Sequence, residues 1–482
     1  MNLQFLLATS LISYVVLMFA VSIYAQRKVN TVEDFVVAGR RLPVWMASAT
    51  LLATWFGAGP VLTASTEVAN FGVYKAALDP IGAGFCLVIA GFFFASKMWE
   101  QKILTVCDFF RNTFGTKAEI ASAVILIPSY FGWIAAQFVA LAHVLNYFFD
   151  IPIITCITLI FLVGTFYTIL GGMWSVTLTD TIQVSSIILG LFILFIQVFI
   201  SIGAGDFFTG VNTMIADLKL NSAEKLNIIH ADKDGGILMW VSVIAAGALG
   251  NVPGQDLMQR IFSAKSAACA KAACLIAGIS YLILGTLTVS LGLAGSYLFK
   301  GETFSSVLPH IASHILTPIP ATIFMLAIVS AVLSTIDSAI LAPATVLAQN
   351  LLSKIPQNKI SSLALNRLSI LFIGGASFLL AISGEGAYAL LEDAYSLTMA
   401  GLFVPLTMGL WAKSTSEKAA LTAMFTGFSI WLCHTIFNWK FFLEPLESVG
   451  SLKLSPPLMA TITALTGFLL VQYLTSQRFK KS

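Results

Sequence analysis

Long apolar runs separated by short polar breaks extend along almost the whole chain. A helix needs roughly 20 apolar residues to cross the hydrocarbon of a bilayer, and the runs predict about thirteen such helices. In lipid, every backbone amide must be paired within the protein, so continuous runs favour helices over the alternating strands of a barrel. The predicted spans, numbered 1 to 13, cover residues 3–24, 44–73, 77–96, 119–148, 152–171, 178–203, 236–260, 268–298, 309–347, 364–386, 388–411, 418–437 and 457–476.

Composition supports a protein that is solvated by lipid. Of the 482 residues, 58% are hydrophobic and only 10% are charged, too few to cover a soluble domain of this size. The net charge of +3 is spread over short loops, and no basic stripe with interleaved aromatic residues indicates a nucleic-acid partner. The chain is therefore predicted to be a single multi-pass domain, 1–482, in a plasma membrane, which in a bacterium is the inner membrane.

The distribution of basic residues predicts the orientation. If the N-terminus lies outside, 19 of the 26 lysines and arginines fall in the inner segments. Such a bias follows the positive-inside rule and would blur if one span were wrongly assigned. An odd number of spans, with the N-terminus outside and the C-terminus inside, is the expected topology.

Two predicted spans are interrupted near their middle. Span 2 contains Gly57-Ala58-Gly59-Pro60, and span 7 contains a second Gly- and Pro-containing stretch from Gly247 to Gln255. Proline removes a backbone donor and glycine relaxes the backbone, so both helices are expected to unwind. Paired broken helices at corresponding places in two five-span halves are typical of a transporter with its binding site at the membrane midplane. An ordinary kink is the alternative.

Predicted span 9 carries a polar face. Ser334, Asp337 and Ser338 are spaced i, i+3 and i+4, so their oxygens share one side of a helix. Sodium is a hard cation that prefers oxygen ligands, and a carboxylate within the membrane is costly unless it has a function. Alternatively, the hydroxyls bond to their own helix and Asp337 lies at a hydrated end.

Other acidic residues are less informative. Asp180 follows Gly171-Gly172 at the start of span 6, where it caps the helix or serves the site. Glu67 and Asp79 flank the turn between spans 2 and 3 and are expected to be hydrated.

Four motifs together resemble the sodium:solute symporter family across nearly the whole chain. The resemblance implies a five-plus-five inverted repeat of the leucine-transporter type, with repeats at 44–203 and 236–411. One extra helix, 3–24, precedes the repeats, and two extra helices within 418–476 follow them. The motifs are Asp34-Phe35 with Ala38-Gly39-Arg40-Arg41-Leu42, Gly171-Gly172 with Thr179-Asp180 and Gln183, Gln255-Asp256 with Gln259-Arg260, and Ser334-Thr335 with Asp337-Ser338.

The resemblance also implies the ion ligands. The main sodium site would use the carbonyls of Ala53, Phe56 and Ala331 with the hydroxyls of Ser334 and Thr335. Some members have a second ion site, whose matching positions are Asp180, Ser334, Asp337 and Ser338.

Within the family, the pattern is most similar to that of high-affinity choline transporters. Choline is held there by an aromatic box, because ring faces attract a quaternary ammonium. Trp55 and Trp133 match two walls, but Ala83 and Gly254 replace the other two. The incomplete box argues against choline and predicts another small amine, amino acid or organic acid. The residues expected around the solute are Trp55, Gly57, Trp133, Gln137, Gly254 and Gln255.

The sequence therefore predicts a sodium-coupled symporter that imports a small organic solute by alternating access, with a monomer as the transport unit. Sodium is the coupling ion and no other cofactor is expected. An enzyme is disfavoured because the spans contain no metal cluster or nucleophile–base pair. Two alternatives remain, a proton-coupled carrier in which Asp337 or Asp180 titrates, and a membrane sensor that has lost transport.

Overall fold

The chain forms a bundle of helices with an apolar outer surface and an apolar core that also holds buried polar side chains. The computed structural model describes residues 3–229, 236–354, 361–384, 387–412, 414–450 and 453–481. Within these ranges no strand forms, and the only extended pairing is an isolated bridge between Leu42 and Ala264. Phe92 and Leu379 are exposed, whereas Asp180 is fully buried. This reversal of the soluble pattern fits a lipid solvent.

The helices are named in chain order. Up to residue 229 they are α1 (Leu3–Gln26), α2 (Val32–Val37), α3 (Val44–Trp55), α4 (Ala64–Phe71), α5 (Ala83–Ile89), α6 (Ala95–Glu100), α7 (Val106–Phe114), α8 (Thr116–Phe149), α9 (Ile153–Ile202) and α10 (Phe207–Asn221). From residue 236 they are α11 (Gly236–Gly250), α12 (Gln255–Ser263), α13 (Ala267–Leu298), α14 (Val307–Ile315), α15 (Pro318–Val346), α16 (Ser362–Ala381), α17 (Ala387–Thr398), α18 (Val404–Trp411), α19 (Glu417–Phe437), α20 (Glu447–Gly450) and α21 (Pro456–Lys481). Short π-helical or 3₁₀ turns extend several of them, including Gly59–Thr63 before α4 and Leu78–Gly82 before α5.

Ten helical segments of the described chain are long and apolar enough to cross a membrane, or up to eleven when the bent pair α11 and α12 counts as one span. The prediction of about thirteen differs for two reasons. Helix α9 contains both span 5 and span 6, and predicted span 2 is divided between α3 and α4, which are short. The end of span 10, residues 385–386, lies outside the described residues. The number of crossings stays a prediction.

Gly172 marks the boundary between predicted spans 5 and 6. It lies inside α9 with φ 52° and ψ −141°, a conformation that few residues other than glycine adopt. A Cβ atom at this position would lie 2.5 Å from the Phe35 carbonyl oxygen. Gly172 therefore permits both the change of direction within α9 and the close approach of α2.

The motifs before α3 and at the end of α12 bind each other. The Leu42 amide donates to the Ser263 carbonyl at 3.0 Å, and the Lys265 amide donates to Leu42 at 3.0 Å. The Gln259 side chain donates to the Val36 carbonyl at 2.6 Å. These bonds hold the start of one interrupted helix against the end of the other. Helix α15 packs along α9 and also contacts α3, which brings its polar face to the first interruption.

Candidate functional site

The first interruption frees backbone carbonyls at the end of α3. The helix ends at Trp55, and Phe56 leaves the helical region with φ −84° and ψ 58°. The last bond of the ladder runs from the Phe56 amide to the Leu52 carbonyl at 2.8 Å. The chain becomes helical again at Ala58, which has φ −63° and ψ −31°. The predicted break therefore forms, and carbonyls near the end of α3 become available to other partners.

The hydroxyl face of α15 meets one of these carbonyls. Ser334 Oγ donates to the Ala53 carbonyl at 2.8 Å, and Thr335 Oγ1 lies 3.5 Å from the same oxygen. Both hydroxyls also reach the Ala331 carbonyl, at 2.9 and 3.0 Å. Four of the five predicted main-site ligands thus form one cluster of oxygens. Phe56, the fifth, stands at the break, three residues beyond Ala53.

Ser334 belongs to both predicted ion sites, and the other members of the second set lie in two parts along α3. The first part is Asp180, which accepts a short hydrogen bond from Thr50, while its other carboxylate oxygen is buried without a partner. The second part is Asp337 with Ser338, which donates to it at 3.1 Å and lies 3.0 Å from Thr54 Oγ1. Because Thr50 and Thr54 are one turn apart, both acidic residues neighbour the same face of α3.

A buried arginine lies beside this second set. The Arg260 side chain is fully buried and donates a short hydrogen bond to Ser338. Tyr167 also donates to Asp337, at 2.8 Å. Sequence reasoning included Arg260 only as part of a family motif, and nothing in the pattern indicated that its guanidinium reaches α15. A resident cation therefore lies next to the predicted second ion site.

Four of the residues predicted around the solute lie at the end of α3, in the break after it, or on α8, namely Trp55, Gly57, Trp133 and Gln137. Gln137 Oε1 accepts from the Ala58 amide at 2.8 Å, inside the break, and its Nε2 is buried without a partner. A Cβ atom on Gly57 would lie 2.7 Å from Gln137 Oε1. Trp55 and Trp133 are both buried. Gln137 and Gly57 thus meet at the interruption, and an unused amide donor remains there.

Gln255 and Gly254 differ in how they relate to Trp55. Gln255 is engaged elsewhere, because Oε1 accepts from Val106 at 2.7 Å and Nε2 donates to the Leu104 carbonyl at 3.2 Å. The structure therefore gives Gln255 a role in holding the turn before α7. Gly254 precedes α12, and a Cβ atom there would lie 2.7 Å from Asp256 Oδ1. Asp256, rather than Gln255, contacts Trp55.

Asp256 is one of two carboxylates that the sequence prediction left out of the site. Its Oδ2 accepts from Trp55 Nε1 at 2.7 Å, and its Oδ1 accepts a short hydrogen bond from the Tyr130 hydroxyl. Tyr130 lies one helical turn from Trp133, and the centroids of their rings are 5.7 Å apart. The sequence could have indicated Asp256 as a site residue, because it directly follows the second break.

Asp79 is the other missed carboxylate, and the expectation that it is hydrated is wrong. The residue is only 4% exposed. Its Oδ1 accepts from the Tyr281 hydroxyl at 2.6 Å, and Tyr281 also lies 3.2 Å from the Trp55 carbonyl. The other oxygen packs against Gly59. The non-helical conformation of Asp79 at the start of its span turns the carboxylate inward, which a hydropathy pattern does not reveal. Glu67, in contrast, pairs with Lys75 at 3.2 Å near the surface.

A cavity of about 450 Å³ lies beyond the break, on the α4 side. Leu62 and Val139 in its wall are each within about one turn of the residues that meet at the interruption. Its polar lining consists of Thr63, Thr66, Glu67, Asn70, His143, Ser305, Ser306 and Tyr388. The cavity therefore lies close to the interrupted helix, on the side of α4.

These features define a class of protein. Two interrupted helices are held side by side. Buried hydroxyls, carboxylates and carbonyls that have left the helix ladder line the breaks, and a cavity with both polar and apolar walls lies beside the first break. This combination is characteristic of secondary transporters.

The chain belongs to the sodium:solute symporter family, which it matches over residues 35–427. It is similar to the high-affinity choline transporter 1 of Torpedo marmorata, with 26% identity over 82% of this chain and 69% of that protein. The human high affinity choline transporter 1 is 25% identical over 82% of this chain and 70% of that protein. Solute carrier family 5 member 4 of Rattus norvegicus is 27% identical over 57% of this chain and 44% of that protein.

Two solved structures have a similar fold. A substrate-bound, outward-open Na⁺-coupled sialic acid symporter has a TM-score of 0.81 at 17% identity, covering 98% of both chains. A nucleobase-cation-symport-1 family transporter in a closed conformation has a TM-score of 0.55 at 13% identity, covering 92% of this chain and 94% of that one. These likenesses confirm the predicted all-helical transporter fold class. The boundaries of the repeats and the ligand sets stay predictions.

Proposed function

We propose that this protein imports a small organic solute together with sodium by alternating access. The main sodium site uses the carbonyls of Ala53, Phe56 and Ala331 with the hydroxyls of Ser334 and Thr335. The contact of Ser334 with Ala53 at 2.8 Å is the observation that carries this assignment. It joins a break in α3 to the intact helix α15 through oxygen atoms alone.

The chemistry of the cluster supports a monovalent cation. A serine or threonine hydroxyl has two lone pairs, so it can turn its hydrogen away and offer an oxygen to an ion. The Ala53 carbonyl accepts from the α15 hydroxyls, so an ion that replaces these hydrogen bonds meets oxygen ligands that already point toward it. Sodium bound there ties α3 to α15 and favours the conformation in which they touch. Coupling follows if this conformation also binds solute better, since a ligand shifts a population only through differential affinity.

A cell membrane that carries a sodium gradient is the proposed location, with the N-terminus outside. With that orientation, α4 and the cavity beside it face the outside, which supports import. The count of basic residues behind this orientation includes Lys233, Lys359 and Lys413, which lie outside the described residues. One transport unit per monomer is proposed, because both interrupted helices belong to a single chain.

The test is transport by purified protein in liposomes. A thermal-shift screen of small metabolites, with and without sodium, first selects a solute that stabilises the protein only when sodium is present. Counterflow and gradient-driven uptake of that solute follow. Uptake driven by an inward sodium gradient is expected. Uptake that needs only a pH gradient in sodium-free buffer would favour a proton-coupled carrier, and absence of counterflow would favour a sensor.

Substitutions on α15 test whether transport depends on the proposed sodium site. Ser334→Ala or Thr335→Ala should raise the sodium concentration for half-maximal uptake by roughly ten- to a hundredfold, since bonds to a charged group contribute about 1.5–3 kcal/mol. Thr345→Ala is the matched control, because Thr345 lies on the same helix and bonds only to the Leu341 carbonyl, at 2.8 Å. Sodium dependence that is unchanged in both site variants would remove this assignment.

A further inference from the structure

Two buried carboxylates connect to Trp55 at the interrupted helix, one at the indole nitrogen and the other near the backbone carbonyl. Asp256 accepts from the indole nitrogen at 2.7 Å. Asp79 connects to the Trp55 carbonyl through the Tyr281 hydroxyl, which lies 2.6 Å from the carboxylate and 3.2 Å from the carbonyl. Asp79 and Asp256 are 4% and 3% exposed. The predicted solute position is therefore flanked by acidic groups as well as by aromatic ones.

Neutral donors supply the hydrogen bonds that these carboxylates accept. Asp256 accepts from Trp55 and Tyr130, and Asp79 accepts from Tyr281. Within the described ranges, no lysine or arginine forms an ion pair with either carboxylate. Arg260 donates to the backbone carbonyl of Asp256, at 3.3 Å, and its other hydrogen bond goes to Ser338. Buried carboxylates without an ion-pair partner are costly in a membrane, and a cationic ligand offsets that cost.

An independent observation at the same place also indicates a ligand. Gln137 is 1% exposed, its Oε1 is fixed by the Ala58 amide at 2.8 Å, and its Nε2 is buried without a partner. Buried amide donors are nearly always paired in folded proteins. Because Ala58 lies between Trp55 and Gly59, this amide group lies next to the break to which both carboxylates connect. A solute with a hydrogen-bond acceptor, such as a hydroxyl, would satisfy it.

The space also differs from that of an aromatic box. A Cβ atom on Gly254 would lie 2.7 Å from Asp256 Oδ1, so the carboxylate occupies room that a larger residue at 254 would need. The Asp256 carboxylate therefore lies beside position 254, where an aromatic wall of the box is absent. Ring faces attract any cation, including a quaternary one, but a carboxylate is used best by a cation that donates N–H bonds.

From these observations we infer that the solute is a small organic cation with N–H donors, a primary or secondary ammonium, held by Asp79 and Asp256 beside Trp55. This inference rests on the proposed sodium-coupled import. An acidic solute is disfavoured because two carboxylates would repel it. A quaternary ammonium is disfavoured because it has no N–H group to donate.

The test uses a methylation series. The purified full-length protein is titrated in sodium chloride with ethanolamine and its mono-, di- and trimethylated forms, the last being choline, and with putrescine. Lactate and glycerol serve as anionic and neutral controls. Thermal stabilisation at equal concentration should fall along the series as N–H donors are replaced by methyl groups. It should be smallest for choline and the controls. Choline binding more tightly than ethanolamine, or no binding by any of these amines, would overturn the inference.

Isosteric variants assign the effect to the carboxylates. Asp79→Asn and Asp256→Asn should each weaken binding of the tightest amine by roughly ten- to a hundredfold. Asp150→Asn makes the same chemical change at an exposed position in the turn after α8 and should have no effect. Equal amine affinity in the wild type and in both site variants would also overturn the inference.

Stabilisation by sodium alone separates this inference from the proposed function. It should be retained in Asp79→Asn, which reports that the variant is folded and that the sodium site is intact. If sodium stabilises the protein and a solute of another class binds only with sodium, sodium-coupled import stands and the amine is excluded. If sodium does not stabilise the wild type, the proposed sodium-coupled import is refuted, whichever amines bind.

Discussion

The replacement of Gly57 by alanine tests how closely the interrupted helix and the hydroxyl face meet. Gly57 lies in the break that follows α3. A Cβ atom there would come within 2.7 Å of both Gln137 Oε1 and Thr335 Cβ, and even closer to Thr335 Oγ1. Non-bonded heavy atoms normally approach to about 3.5–4.0 Å, so these groups must move by roughly 1 Å. One methyl group thus disturbs both the proposed sodium site and the proposed solute site.

The expected loss of sodium affinity follows from the groups that the new methyl group must displace. Displacement of Thr335 withdraws one of the proposed sodium ligands, and bonds to a charged group contribute about 1.5–3 kcal/mol. Overpacking of a filled region costs about 1–3 kcal/mol in addition. The sodium affinity of Gly57→Ala should therefore fall by at least about tenfold. The thermal stability without sodium should fall as well, because Gln137 loses part of its contact with Ala58.

The assay is thermal unfolding of the purified protein across a sodium series, with potassium chloride keeping the ionic strength constant. Gly375→Ala is the matched control, because nothing lies within 4 Å of a Cβ atom at this position in α16. That variant should bind sodium normally and be slightly more stable, since alanine favours a helix over glycine by about 1 kcal/mol. A sodium response of Gly57→Ala that equals that of Gly375→Ala would refute the proposed adjacency.

Three further outcomes are expected. Gly172→Ala should lower the melting temperature, because its backbone conformation costs a residue with a side chain roughly 1–3 kcal/mol and a carbonyl oxygen would lie 2.5 Å from the new Cβ. An unchanged melting temperature would contradict this. Arg260→Met removes the hydrogen bonds of the guanidinium to Ser338 and to the Asp256 carbonyl, and each such bond to a charged group contributes about 1.5–3 kcal/mol. The yield of monodisperse protein after detergent extraction should therefore fall, and a normal yield would show that the buried guanidinium is dispensable. The third outcome concerns topology and uses a Cys433→Ser background. Asp150→Cys should react with an impermeant maleimide on intact cells, whereas Glu100→Cys should react only after permeabilisation. The opposite pattern would show that the topology is inverted.

The sequence predicted the features that depend on backbone chemistry. The glycines and proline around Gly59 predicted the break in α3, since the loss of a donor and a permissive backbone act locally. The i, i+3, i+4 spacing on α15 predicted a shared polar face, because helical geometry alone determines it. The resemblance then predicted that the break and the face meet, and Ser334 does contact Ala53.

Features that depend on the packing of distant helices could not be read from the pattern. Asp79 was expected to be hydrated because it stands near the end of an apolar run, but the chain there turns its carboxylate toward Tyr281. Gln255 was expected at the solute, but its amide pairs with the turn before α7. Both differences arise from contacts between residues more than 140 positions apart, which no local periodicity reports.

The most direct test of the central claim is equilibrium binding of radioactive sodium to the purified protein without solute. The wild type and Thr345→Ala should bind sodium with similar affinity. The double variant Ser334→Ala with Thr335→Ala should lose most of that binding while remaining folded by its circular dichroism. Sodium binding by the folded double variant that matches the wild type would contradict the proposal that α15 hydroxyls and α3 carbonyls hold the ion.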